Sequence, residues 1–584
     1  MSVRPKRGPP RLRTHSRPRP AITPQARSSA PDAVLLKFTE APLSQSGAFF
    51  SWTGLTHISG MSDRVIRWAI QAGLVLVVIV ALPYKVFELD RYFVPKELVL
   101  HVAALLVAVM LVARRHSLTF DIVDGLIAFF LLWSVASAIF ATNHWIAQRS
   151  VAVTVSGAII FWGARSVAGT GSYRPILVAA AIATVCAAAF SLAQAYGLDT
   201  EYFSANRSPG GTFGNRNFVA HIAVIGLPAL IWATVTARRP LGALLGSLGG
   251  ALVGAALVLS RSRAAWLAVL ASALLLLVPM IASRRYWRGG KIGGRFARLT
   301  LAATIGGMVA IVLPNTLNWN SESPYLDSAR GMVDYTKGSG RGRIAQYRNS
   351  LHMAMSSPVF GVGPGNWPVE YVRFAPEGDR SLADDGMTAN PWPSSDWVAF
   401  VSERGFVPTV ALFGAFIVLF FGALRRWSEL ENPDAVLAQC VLAGTVVATM
   451  VVSAFDVVLV LAAPSFLVWS VLGATSGIRR NAREVKVSPG ALGLAAAALL
   501  LFALLSTARS VTEMTAMMYV GRGGYTAGWV TGAMWDPGSY RINVRVAELY
   551  SRRGHCSVAR GYARRAVSLF PHSPEAKRIA RSCD

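Results

Sequence analysis

The stretch LGALLGSLGGALVGAALVLS-RSR-AAWLAVLASALLLLVPMIA, residues 241–282, decides the fold. Leu241–Ser260 is apolar, Arg261-Ser262-Arg263 follows, and Ala264–Ala282 is apolar again. Runs of about 17–25 apolar residues suit helices that cross a bilayer. The segment therefore predicts two membrane helices with a pair of arginines at the turn between them.

The rest of the chain extends that pattern. Its 584 residues are 53% hydrophobic and only 15% charged, with a mean hydropathy of +0.44. Soluble domains carry about 25% charged residues, so lipid is the solvent for most of this chain. Apolar runs recur at roughly 65–83, 98–113, 122–141, 150–169, 175–197, 218–236, 241–260, 264–282, 299–317, 405–424, 435–455, 457–477 and 490–507. The expected fold class is all-α, a polytopic transmembrane helical protein of about 13 spans.

The net charge of +27 follows the same topology. With the N-terminus inside, the cytoplasmic loops contain Arg114-Arg115, Arg165 and Arg174, Arg238-Arg239, the cluster from Arg284 to Arg298, Arg425-Arg426, and Arg479 to Lys486. The short outward loops hold only Lys85, Arg91, Lys96, Arg149, Arg207, Arg216, Arg261 and Arg263. An excess of Lys and Arg marks cytoplasmic loops. This predicts a cytoplasmic N-terminus, an outward C-terminus and an odd number of spans. No basic stripe with interleaved aromatics lies on a soluble segment, which argues against nucleic acid as a partner.

Three regions are expected. Residues 1–62 are basic and rich in Pro and Arg, which predicts a disordered cytoplasmic tail. No apolar core follows the first charges, so a signal peptide is not expected. Residues 63–507 form the membrane domain, with a long outer loop at about 318–404. There Ile344, Tyr347, Leu351 and Met355 make one apolar stripe, the pattern of an amphipathic helix on a membrane surface. Residues 508–584 form an outer helical tail. Its Ala547, Tyr550, Gly554, Ala559, Ala566 and Pro571 have the spacing of a tetratricopeptide repeat, and Pro537 lies one 34-residue period before Pro571. Such a fragment needs to pack on the membrane domain or on a protein partner. Of four cysteines, Cys186 and Cys440 lie in spans, whereas Cys556 and Cys583 lie in the outer tail, where a disulfide is permitted.

Arg207, Arg216, Arg261 and Arg263 all fall at outward helix ends, against the topology signal. Guanidinium forks match phosphate oxygens in pairs. Several at one interface would hold a pyrophosphate whose lipid tail stays in the bilayer. The alternative is snorkelling to lipid phosphates. Gly210-Gly211-Thr212-Phe213-Gly214-Asn215-Arg216-Asn217 precedes a span. Its glycines permit close approach to a ligand and its asparagines can cap the helix. Arg341-Gly342-Arg343 with Tyr347 lies in the outer loop, as do Ser394-Ser395-Asp396-Trp397 and Glu403-Arg404-Gly405. Asp396 or Glu403 can act as a base or pair with an arginine. Asp456 reads as a helix-end residue. Among His101, His144, His221 and His352, only His221 and His352 merit testing. The sequence has no CxxC or His/Cys metal spacing, and neither metal nor cofactor is expected.

Four ordered stretches together resemble the O-antigen ligase and polymerase superfamily. Gln194-Ala195-Tyr196-Gly197 followed by Gly211–Asn217 is similar to the family's GTFGNPN turn. Ser262-Arg263-Ala264-Ala265-Trp266 resembles its SRGAW helix start. Arg343, Tyr347 and Ser357-Pro358-Val359-Phe360-Gly361-Val362-Gly363-Pro364-Gly365-Asn366 resemble R…W…DPLFGVGPGNF. Asp396-Trp397 with Glu403-Arg404-Gly405 resembles HNDYL…E.G. The resemblance implies a metal-independent glycan transferase of GT-C-like helical architecture in the bacterial inner membrane. Its implied donor is an undecaprenyl-pyrophosphate-linked glycan at the outer face, and its acceptor a lipid or a glycan. Arg263 would contact the donor pyrophosphate, assisted by Arg216 and Arg343, with Arg261, Arg207 and Asn217 beside them. Two positions depart from the pattern. Ser394 stands where the family has a loop histidine that activates the acceptor, and Arg216 replaces the proline of the turn. Asp396, His352 or His221 could then supply the base. A transporter or flippase for an anionic lipid-linked glycan, or a non-catalytic assembly scaffold, are the competing classes.

Overall fold

The computed structural model describes residues 52–87, 89–114, 118–282, 290–319, 321–332, 338–383, 386–429, 432–478, 483–485, 488–522 and 526–582. Most of the basic N-terminal tail, Arg284, Arg285, Arg288, Arg479, Arg480, Lys486 and Cys583 lie outside them.

The chain is α-helical. The first helices are α1 (Trp52–Ile79), α2 (Asp90–Ala113), α3 (Ile122–Ala138), α4 (His144–Val167), α5 (Tyr173–Ala195), α6 (Arg216–Val235), α7 (Pro240–Ser260), α8 (Arg263–Ala282) and α9 (Lys291–Val312). The stretch between α9 and the next long helix contributes α10 (Pro324–Arg330), α11 (Gly338–Ser356), α12 (Trp367–Glu370) and α13 (Asp396–Arg404). Four more long helices follow: α14 (Phe406–Glu429), α15 (Pro433–Phe455), α16 (Ala462–Ser476) and α17 (Pro489–Arg522). The tail ends in α18 (Thr526–Trp535), α19 (Tyr540–Ser551), α20 (Cys556–Leu569) and α21 (Pro574–Ser582).

Each predicted apolar run falls on a helix. Among the described residues, eight helical segments are long and apolar enough to cross a membrane, and one of these, His144–Ala195, carries two runs. Ile122–Ala138, Arg263–Leu277 and Ala462–Ser476 are apolar but shorter. Helices that share lipid as solvent pack through small residues, which let backbones approach. The α7/α9 pair shows this. A Cβ added at Gly254 would sit 2.2 Å from the Ala303 carbonyl oxygen, and one at Gly306 2.1 Å from that of Ala251.

The helix ends sort into two sets. At one end Arg165 is buried between Asp121 and Asp124, Arg174 pairs with Asp434, and Leu118–Phe120 forms a short antiparallel ladder with Arg483–Val485. The opposite end gathers the Arg261 turn, the loop region containing α10–α13, and the tail.

The tail is docked on that second end. α17 runs unbroken through the predicted boundary at 507/508. Trp145 Nε1 donates to Asp536 Oδ1 at 2.8 Å, and Asn143 Nδ2 donates to the Leu569 carbonyl at 3.1 Å. α19 and α20 pair through Ala547, Ala559, Ala563 and Ala566, all fully buried. Cys556 is disulfide-bonded, whereas Cys186 and Cys440 are free.

Candidate functional site

The two arginines of the α7–α8 turn do not sit on one helix. Ser260 ends α7, Arg261 adopts the left-handed conformation (φ 53°), and α8 begins at Arg263. A non-glycine residue there costs about 1–2 kcal/mol. The reversal separates the two side chains from the 100° spacing of a helix and lets both serve one end of the bundle. Arg261 Nε donates to Ser328 Oγ at 2.8 Å. Arg263 Nη1 donates to the Gly331 carbonyl at 2.7 Å, and a Cβ at Gly331 would lie 2.5 Å from the Arg263 Cζ. Both arginines are therefore held by α10 and the residue that ends it.

The GTFGNRN turn meets them. Asn215 caps α6 by accepting from the Asn217 backbone N–H at 3.0 Å. Gly214 has φ 67°, and a Cβ there would strike the Tyr92 ring at 2.3 Å, so only glycine fits. Arg216 at the first turn of α6 places its Cζ 5.0 Å from the Trp319 ring centroid, and Arg261 places its own at 4.7 Å. One indole thus gathers two guanidinium groups from distant segments, each contact worth about 0.5–2 kcal/mol. Arg207 is exposed, and its carbonyl accepts the Arg216 backbone N–H at 3.0 Å. The Arg343 charge reaches the same end from α11 and acts on His221.

The carboxylates divide into two kinds. Asp396 is fully buried and accepts four hydrogen bonds: from Ser453 Oγ at 2.8 Å, and from the N–H groups of Val458, Leu459 and Val460 at 2.7, 2.9 and 3.2 Å. Burial pushes its carboxyl up to about 6 against the pull of those donors. This arrangement makes Asp396 an anchor for the α15–α16 turn, not a group open to an acceptor. Glu403 is buried too. It accepts from the Trp367 N–H at 3.4 Å and lies 3.7 Å from Arg404 Nη1. Burial raises its carboxyl and the Arg404 charge opposes this. Its own carbonyl accepts the Gly363 N–H at 2.9 Å, so α13 latches the GVGPG turn.

Asp456 is different. It caps the end of α15, where Oδ2 accepts from Asn217 Nδ2 at 3.3 Å and Oδ1 from the Val457 N–H at 2.9 Å. His221 Nε2 lies 3.7 Å from Oδ2. Tyr347 hydroxyl is 2.6 Å from the Ser394 carbonyl and 3.0 Å from that of Ala454, tying α11 and the Ser394 segment to the end of α15. Of the other histidines, His101 Nδ1 pairs with Ser156 Oγ at 2.8 Å, and His144 and His352 are exposed.

The structure therefore brings Arg216, Arg261 and Arg263 to one end, with Asn217 and Arg343 nearby, and sets Asp396 and Glu403 into the scaffold. Sequence reasoning passed over Trp319 and gave Asp456 only a structural part. For Asp456 a signal existed: it is the one charged residue between Asp434 and Arg479, and intramembrane charges are costly enough to indicate function. Trp319, just past an apolar run, reads as an ordinary interfacial aromatic.

Residues 248–413 match the family model described as O-antigen ligase. The match contains Arg261, Arg263, Arg343, Asp396 and Glu403, and ends before Asp456. Over these residues the chain is similar to the O-antigen ligase family. No curated protein matches the chain.

Proposed function

We propose, for a membrane protein that carries an O-antigen ligase domain, that it transfers or polymerises glycan from a lipid-pyrophosphate donor at the outer face of the inner membrane. The observation that carries this reading is the convergence of three arginines on one end of the bundle, Arg216 and Arg261 on Trp319 and Arg263 on the Gly331 carbonyl. Guanidinium groups already paid for by the fold can stabilise charge on a departing pyrophosphate without reorganising at the moment of reaction. An acceptor hydroxyl attacks the anomeric carbon, the bond to the pyrophosphate oxygen breaks, and that oxygen keeps the electron pair. The apolar helix ends leave the lipid tail in the bilayer while the head group meets the arginines. Asp396 and Glu403 hold the acceptor-side elements in register.

The test is transfer of a labelled polyprenyl-pyrophosphate glycan by the full chain in proteoliposomes. Covalent product is expected from wild type. Movement of the glycan lipid across the bilayer without product would favour a flippase instead.

A further inference from the structure

Transfer to a hydroxyl releases a proton, and something must take it. Among the site's carboxylates, Asp396 and Glu403 are committed to backbone and arginine partners. Asp456 keeps capacity on both oxygens, and its side chain is 13% exposed. His221 lies behind it, wholly buried, with both ring nitrogens lacking a hydrogen-bond partner. A buried polar group left unpaired is costly and calls for an explanation. Among the described residues, the charged groups that act on His221 are Asp456, from the end of α15, and Arg343, from α11.

We propose that Asp456 and His221 form the proton-accepting pair on the acceptor side, with Asp456 the catalytic residue and His221 a positioning residue that receives the proton from it. The inference rests on the transferase reading above. Its placement follows from the turn that carries the donor arginine. Arg216 reaches Trp319, and the next residue, Asn217, holds Asp456 Oδ2. Adjacent residues of α6 thus reach the arginine cluster and the candidate base. As the acceptor oxygen bonds to the anomeric carbon, its O–H bond breaks and the proton passes to an Asp456 oxygen. His221 Nε2, 3.7 Å from Oδ2, then shares it. The leaving electron pair stays on the pyrophosphate oxygen beside the arginines.

The experiment uses the full chain in nanodiscs. Its donor is a labelled polyprenyl-pyrophosphate glycan extracted from membranes of cells that carry the protein, and undecaprenyl pyrophosphate serves as binding probe. Asp456→Asn is expected to lower the transfer rate about 100-fold or more and to bind undecaprenyl pyrophosphate as wild type does, with Asp456→Glu restoring part of the rate. His221→Gln is expected to lower kcat about tenfold, leave the donor KM unchanged and shift the acid limb of the pH–rate profile. Retention of probe binding shows that each variant folds. Asp456→Asn or His221→Gln transferring within twofold of wild type would overturn the pair, as would a His221→Gln loss with an unmoved pH profile. An Arg263→Ala arm separates the two levels. If wild type gives no Arg263-dependent product, the transferase reading itself fails. If it does while the pair is dispensable, only this inference fails.

Discussion

Arg263 is the residue on which the proposed donor site turns. It begins α8, and its guanidinium is held by one neutral carbonyl, with no carboxylate within salt-bridge distance among the described residues. A phosphate oxygen is the stronger partner for such a fork. Arg263→Ala should lower transfer by about 100-fold, and Arg263→Lys should recover only part of it, because an ammonium cannot bind in two places. Asp396 gives a prediction of another kind. Its folded carboxyl titrates near 6, above the ordinary value of 3.8. The native state therefore holds more protons than the unfolded chain between those values. The stability that this group contributes is full below about pH 4 and is lost as pH rises through 6, by linkage. Thermal unfolding of the detergent-solubilised protein from pH 4 to 7 should show this decline, and Asp396→Asn should flatten it. A variant with the wild-type slope would assign the titration elsewhere.

The GVGPG turn and α11 carry the predictions that belong to elements. Gly363 has φ 97°, and a Cβ there would approach the Ala141 Cβ to 2.4 Å. Gly363→Ala should cost about 2 kcal/mol or more, from the left-handed backbone and the clash together. Lowered thermal stability would show it, and an unchanged midpoint would refute it. On α11 the stripe read from the sequence divides: Ile344, Leu351 and Met355 point away from the protein, 55%, 50% and 62% exposed, whereas the Tyr347 hydroxyl turns inward to the Ser394 and Ala454 carbonyls. Buried Ser350, Met353 and Ala354 form the face that packs. The apolar period was legible because helices repeat every 3.6 residues. The inward turn of Tyr347 was not, because its two carbonyl partners lie 47 and 107 residues away in the sequence. Leu351→Glu should weaken the seating of α11 on lipid, seen as faster proteolysis of the outer loop in proteoliposomes. Equal cleavage would place the stripe against something other than lipid.

At the scale of the whole molecule, each apolar run read from the sequence became a helix, because spans in lipid must satisfy their backbone internally. The alternation of ends follows the basic residues: Arg165 and Arg174 at one end, Arg261 and the tail contacts at the other. The site was less legible. Arg216, Arg261 and Arg263 could be named from their position against the topology signal. Trp319, which gathers two of them, and the pairing of Asp456 with His221 join segments more than 50 residues apart, and no local pattern records such contacts. Asp396 and Glu403 read in the sequence as candidate bases or arginine partners; the backbone N–H groups that they accept from lie too far away in sequence to be read there. The orientation we propose predicts that Arg553→Cys reacts with a membrane-impermeant maleimide in intact spheroplasts, whereas Arg238→Cys does not. The reverse pattern would invert the molecule in its membrane.

The most direct measurement is glycan transfer by purified wild type and Arg263→Ala protein in proteoliposomes, with a labelled polyprenyl-pyrophosphate glycan as donor and the product resolved by size. Covalent product from wild type, reduced about 100-fold in the variant while the variant keeps the wild-type unfolding temperature, is the predicted result. Equal product from both proteins would contradict the arginine site, and no product from either would contradict the transferase.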